Sequence, residues 1–184
     1  MKNIGQLALS AIFIGLAAIL SYIERFIPIQ LVIPLPGVKL GLANIVTLVS
    51  LYLLDKKQCI IILIIRCLIG AMFGGGFTGL MHSLTGGVFA IIIMIITQRI
   101  RLFSIYGVSV FGAAFHHIGQ IIVSMLLMKS IYIGSYLPYL LLVGVFTGLL
   151  TATISSKVVQ ALESNPKIKK LKENEEGETI WKNS

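Results

Sequence analysis

An all-α integral membrane protein with six transmembrane helices is the fold class predicted for these 184 residues, and three observations predict it. Hydrophobic residues make up 57% of the chain and charged residues only 12%, with a mean hydropathy of +0.96. A soluble domain of this size needs a much larger charged surface. The apolar residues fall into six runs, each near the ~20 residues that cross a bilayer as a helix. The basic residues are sorted between alternate ends of those runs, as the positive-inside rule requires. Residues 1–160 are therefore assigned to the transmembrane domain. Residues 161–184, rich in Lys and Glu, form a polar cytoplasmic tail expected to be solvated and partly disordered.

The first run, residues 4–23, follows Lys2 and has the charge order of a secretion signal. It is longer than the apolar core of such a signal and no small-x-small cleavage site follows, so it reads as a membrane helix. Ala8, Ala11, Gly15 and Ala18 lie along it at spacings of 3, 4 and 3. Such a small-residue stripe lets another helix approach closely, from this chain or from a partner subunit. The second run, residues 38–54, carries Lys39 at its start and Asn44 about a third of the way in.

The third run, residues 58–73, is apolar except for Arg66. A permanent cation near the bilayer centre costs roughly 2.5–3.5 kcal/mol on insertion scales, so its side chain must pair or face a cavity. Between the third and fourth runs lies a link at 74–79 containing Gly74, Gly75, Gly76 and Gly79. It permits irregular backbone and reads equally as a gate, a ligand cradle or a tight turn. It is not a phosphate-binding loop, because no Gly-Lys-Ser/Thr follows.

The fourth run, about 80–97, has His82 and Thr85 near its start. The fifth, residues 105–128, places His116, Gln120 and Ser124 at i, i+4 and i+8 on one face. His117 diverges from His116 by about 100°, so the two cannot face one cavity, and one of them is expected to bond between helices. The sixth run is 136–159. Cys59 and Cys67, about 12 Å apart along one helix, are too far apart for a disulfide and read as inert buried thiols.

Lys2, Lys56, Lys57, Arg99, Arg101, Lys157 and the tail lysines Lys167, Lys169, Lys170, Lys172 and Lys182 mark one set of ends; Arg25, Lys39 and Lys129 mark the other. Both termini are then cytoplasmic, which requires an even number of spans. The net charge of +8 is thereby explained without nucleic acid, whose binding would call for interleaved aromatic and basic residues.

With this orientation Lys39, Asn44, Arg66, His82, Thr85, His116 and Gln120 all fall at the middle or outer half of their helices. The cytoplasmic halves are almost pure Ile, Leu, Val and Met. The expected arrangement is a cavity open to the outside, lined by those seven residues, that captures a small-molecule solute. No Asp or Glu lies within any run, and Glu24 is the only acid on the outer side. A carboxylate or phosphate on the ligand is therefore expected to supply the missing counter-charge. Arg66 bonded to helix-end carbonyls, and Asn44 as glue between helices, stay open as alternatives. His82 and His116 lack a carboxylate or thiolate companion, so no metal and no cofactor are expected.

The segment Leu35-Pro36-Gly37-Val38-Lys39-Leu40-Gly41-Leu42-Ala43-Asn44-Ile45-Val46-Thr47-Leu48, together with the Arg66 region and Thr78-Gly79-Leu80 followed by His82-Ser83, resembles the Gx transporter family. That family is often labelled heptaprenyl diphosphate synthase component I. It is similar to the substrate-binding (S) components of energy-coupling-factor (ECF) vitamin transporters. The resemblance covers residues 1 to about 160. It implies a bacterial plasma-membrane protein that holds a vitamin-like solute at its outer side. It further implies docking, through Ala8, Ala11, Gly15 and Ala18, onto a transmembrane coupling protein driven by ATPase subunits.

The synthase label meets a chemical objection. Prenyl diphosphate synthases need paired Asp-rich motifs to bind magnesium and ionise an allylic diphosphate, and the only Asp here is Asp55. The chain cannot supply that catalysis alone, so no enzyme is expected. The alternative function is a non-catalytic membrane accessory to isoprenoid, quinone or flavin-linked electron-transfer metabolism.

Overall fold

The computed structural model describes residues 4–27, 39–100 and 102–166. The first part of the Leu35–Leu48 motif, Arg101 and the tail beyond residue 166 lie outside the described residues. Within them the chain is all helix, with no strand. Helix α1 spans Ile4–Ile23 and runs into a 3-10 turn at Glu24–Phe26. Then come α2 (Asn44–Leu53), α3 (Lys56–Gly70) with a π-turn at Ala71–Gly75, and α4 (Gly76–Arg99). Helix α5 (Ile105–Met128) is followed by a 3-10 stretch, Ile131–Tyr136, that leads into α6 (Leu137–Glu163).

Six helices are present, and four segments are long and apolar enough to cross a membrane: Gly5–Ile23, Gly76–Arg99, Ile105–Met128 and Ile131–Glu163. The protein is a membrane protein. Helix α2, at 10 residues, is only ~15 Å long, shorter than the expected run at 38–54. The shortening has a local cause. Gly41 sits at φ +85°, a left-handed conformation that glycine adopts without penalty, and its carbonyl accepts the Asn44 N–H at 2.8 Å to start the helix. Helix α3 covers 15 residues and its π-turn another five. The expected 74–79 link collapses to a single break at Gly76, φ +57°, a conformation open to glycine, while the neighbouring glycines are taken into helix.

Helices α4, α5 and α6 form the tightest part of the bundle. Gly119 of α5 crosses α4 so closely that a Cβ there would lie 2.9 Å from Gly86 Cα and Thr85 O. Gly144 and Gly148 of α6 meet His117 and Val110 of α5, which makes that pair antiparallel. Ser109 Oγ donates to Gly148 O at 2.7 Å across the same seam.

Two aliphatic clusters fill the end of the bundle nearest Lys56, Arg99 and Lys157. One joins Leu48, Leu51, Leu63, Ile91, Met94 and Val108. The other joins Phe13, Val46, Val49, Ile62 and Val159. Buried beside the first, Cys59 Sγ lies 3.0 Å from Ser50 Oγ.

The outer surface is apolar, as lipid contact demands: Ile12, Ile64, Ile92, Leu142 and Phe146 are all exposed. On α1 the buried residues are Gln6, Phe13, Ala17, Ser21 and Glu24, whereas Ala8, Ala11 and Gly15 are exposed and Ala18 half-buried. Among the described residues nothing lies within 4 Å of where a Cβ on Gly15 would sit. Among the described residues most of the small-residue stripe is thus not used for packing within the chain.

Candidate functional site

Polar side chains gather in the other half of the bundle, where α1 and α3 end, α2 and α4 begin and the second half of α5 runs. Arg66, 4% exposed, donates from Nη2 to Asn44 Oδ1 at 3.3 Å, and its Nε–H has no partner. Lys39 Nζ donates to Ser83 Oγ of α4 at 3.1 Å. Gln120 of α5, fully buried, bonds both neighbouring imidazoles. Its Nε2 donates to His116 Nε2 at 3.0 Å, and its Oε1 accepts from His117 Nδ1 at 3.2 Å.

The His116 ring fills the space left by two glycines. A Cβ on Gly41 would lie 3.1 Å from its Cδ2, and one on Gly86 would lie 2.8 Å from its Nδ1. That Nδ1 rests on the Gly86 backbone without a well-aligned hydrogen bond. His117 turns the other way, toward Gly144 of α6. The two rings do diverge as helical geometry requires, and Gln120 reaches both because it is three and four residues on.

His82 makes a separate clamp. Its Nδ1 donates to Thr78 O at 2.9 Å, since a carbonyl only accepts, and this leaves Nε2 to accept from Ser124 Oγ at 2.9 Å. Thr85 is half-buried, and among the described residues no hydrogen bond joins its side chain to the cluster. Its carbonyl instead faces Gly119.

One residue that the sequence reading set aside lies at the centre. Glu24 is 5% exposed, and its Oε1 accepts a very short hydrogen bond from the Gly41 N–H. Burial pushes its carboxyl above the usual 4.5, while the Gly41 N–H, the positive charges of Lys39 and Arg66 and the Leu42 backbone pull it back. The expectation that the two cations lack any counter-charge is thereby corrected. Glu24 follows the first apolar run and looks like a loop acid, yet the 3-10 turn carries it back onto the buried face of α1. The available signal was its rarity: residues 1–160 contain only one other acid, Asp55, and an isolated acid at the edge of a span is a functional candidate by default.

One cavity beside the cluster is lined by none of the seven polar residues. Of 410 Å³, it lies one helical turn further along, between α1 and the end of α3, lined by Ala18, Ile19, Ser21, Tyr22, Ile69, Gly70 and Phe73. Its walls are mostly apolar, because the polar side chains have bonded to one another. Gly70 and Ile69 follow Arg66 by four and three positions, so the cavity adjoins the Arg66 side of α3. Among the described residues no group of three or more His, Cys, Asp or Glu side chains is placed to hold a metal ion.

These positions span most of the region that matches a protein-family model. Residues 13–158 match the model described as heptaprenyl diphosphate synthase component I. The chain belongs to that family. No curated protein and no solved structure matches it. Members of the family carry a synthase component's name, and the chain under that name is here a bundle of apolar helices around a buried, bonded cluster of Glu24, Lys39, Asn44, Arg66, His116, His117 and Gln120.

Proposed function

We propose that this family member is the substrate-binding membrane subunit of an ECF-type transporter, taking up a small solute with an anionic group. In this reading all six helices cross the membrane, both termini are cytoplasmic and the polar half of the bundle faces outward. The observation that carries it is Arg66: buried, held by Asn44 through one nitrogen, and left among the described residues with an unpartnered Nε–H. A guanidinium kept partly unsatisfied in a low-dielectric interior is costly unless a ligand completes it. The adjoining 410 Å³ cavity supports a place for the rest of the solute. The exposed face of Ala8, Ala11 and Gly15 supports docking to a coupling protein with ATPase subunits. No catalysis is assigned.

The family description favours one second reading, a non-catalytic accessory to prenyl or electron-transfer enzymes. Mass spectrometry of the purified protein separates the two. Arg66→Lys keeps the positive charge that Glu24 requires but loses the planar fork. The transport reading expects a water-soluble anion to co-purify with the native protein and to be lost from this variant, with thermal stability nearly retained. Equal, solute-free preparations of both would favour the accessory reading.

A further inference from the structure

The charge of the polar cluster can be counted. Among the described side chains it holds Lys39, Arg66 and Glu24, and counting Glu24 as the carboxylate and the imidazoles as neutral gives a sum of one positive charge. Among the described residues Glu24 is the one acid in a position to contribute. Asp55 precedes the far end of α3 and stands 11 positions before Arg66, about 16 Å along the helix. Glu24 is also not free to leave, because its carboxylate holds the Gly41 N–H and so fixes the turn that presents Lys39 and Asn44. Uncompensated charge in a buried site is expensive, so the ligand that binds best is the one that brings the sum to zero.

We infer that Glu24 determines the charge of the ligand, making the site selective for a monoanion, such as a carboxylate, over a dianion, such as a phosphate monoester. This rests on the reading of the cluster as a ligand site. Without Glu24 the same residues would present two positive charges and suit a dianion. With it, the second negative charge of a phosphate has no partner and meets a fixed carboxylate.

The test uses the full chain in nanodiscs of zwitterionic phospholipid, with benzoate and phenyl phosphate as probes of matched shape, at pH 8 and constant ionic strength. The native protein should bind benzoate at least about tenfold more tightly, and Glu24→Gln, whose amide still accepts the Gly41 N–H, should reverse the order. Should Glu24→Gln fail to fold, Lys39→Gln serves in its place: it lowers the sum to zero and should shift preference from benzoate toward neutral benzamide. Tighter binding of phenyl phosphate by the native protein, or the same ratio in native and variant, overturns the charge selection while leaving the transport reading intact. Failure of the native protein to bind any probe, with no solute co-purifying, overturns both.

Discussion

The two halves of this bundle are held together by different physics. Toward Lys56, Arg99 and Lys157, buried Leu, Ile, Val and Met interlock, and the polar side chains among them, such as Ser50, Thr97, Ser109 and Ser155, bond mainly to backbone carbonyls. Toward the glycine-rich end, the buried polar groups include Glu24, Asn44, Arg66, His82, His116, His117, Gln120 and Ser124; the Arg66–Asn44 and His82–Ser124 bonds link different helices, and Gln120 ties the two neighbouring imidazoles within α5. In lipid, aliphatic groups gain little by leaving one apolar surroundings for another, so the first half depends on shape. The second half depends on completeness, because each group removed leaves its partner buried and unsatisfied. Substitutions should therefore be graded in one half and abrupt in the other.

The abrupt case is Arg66→Ala. It strands Asn44 Oδ1 and takes from Glu24 one of the cations that act on it, and removing one member of a buried charged group costs about 3–5 kcal/mol. Thiol-reactive fluorophore uptake at Cys59 and Cys67, both buried, reports the unfolding transition in detergent. Adding Glu24→Gln to Arg66→Ala should restore part of the loss, since the orphaned acid is then gone. If the two losses simply add, the polar half is a set of independent bonds and the contrast with the aliphatic half fails.

The graded case is Leu63→Ala. Leu63 is 1% exposed and packs with Leu51, Ile91 and Met94 in the aliphatic half. Truncation should cost about 2 kcal/mol, the low end for buried leucines, with Leu63→Met costing far less. The same thiol assay measures it. A loss as large as that of Arg66→Ala would mean that shape and network contribute alike.

What could be read from the chain divides along the same line. Apolar runs announce themselves, so the first and fifth helices have the bounds expected of them, 4–23 and 105–128. The face bearing His116, Gln120 and Ser124 is a matter of spacing within one helix, and it is realised. The aliphatic half was likewise visible as depth along each run.

What escaped was every feature decided by a partner far away in sequence. The start of α2 moved to Asn44 because Gly41 takes a left-handed turn held by Glu24, 17 residues earlier. The Ser124–His82 and Lys39–Ser83 bonds join residues 42 and 44 positions apart, and no periodicity announces such pairs. The cavity lined by residues of α1 and the end of α3 likewise joins segments about 50 positions apart, a pairing that spacing along either run does not announce.

Glu24 also gives the polar half a pH dependence that the aliphatic half lacks. Its carboxyl is raised above 4.5 in the folded protein, chiefly by burial. The folded state therefore holds this proton more tightly than the unfolded chain. The group's favourable contribution is complete below pH 4.5 and declines as pH rises through its folded value. In the range just above pH 4.5, native stability should fall with rising pH by more than that of Glu24→Gln, which cannot titrate. Parallel curves for the two proteins would mean that the carboxyl is not perturbed.

The smallest effect belongs to the outward face of α1. Among the described residues a Cβ on Gly15 would meet no neighbour within 4 Å and Ala11 is exposed, whereas a Cβ on Gly119 would press on Gly86 and Thr85. Gly15→Leu should thus leave the stability of the isolated protein within about 0.5 kcal/mol, as surface changes do, while Gly119→Leu, forced into a closed crossing, should cost at least about 1–3 kcal/mol. Neutrality of Gly15→Leu alone separates a lipid-facing glycine from one packed inside the chain, but it does not by itself require a partner. Uptake by cells carrying the native coupling machinery does: there Gly15→Leu should behave as a loss of function in a fully folded protein, because a leucine would hold an approaching helix away from the stripe. Full uptake with Gly15→Leu would show that the stripe faces lipid alone, and partner docking would then need a different face of the bundle.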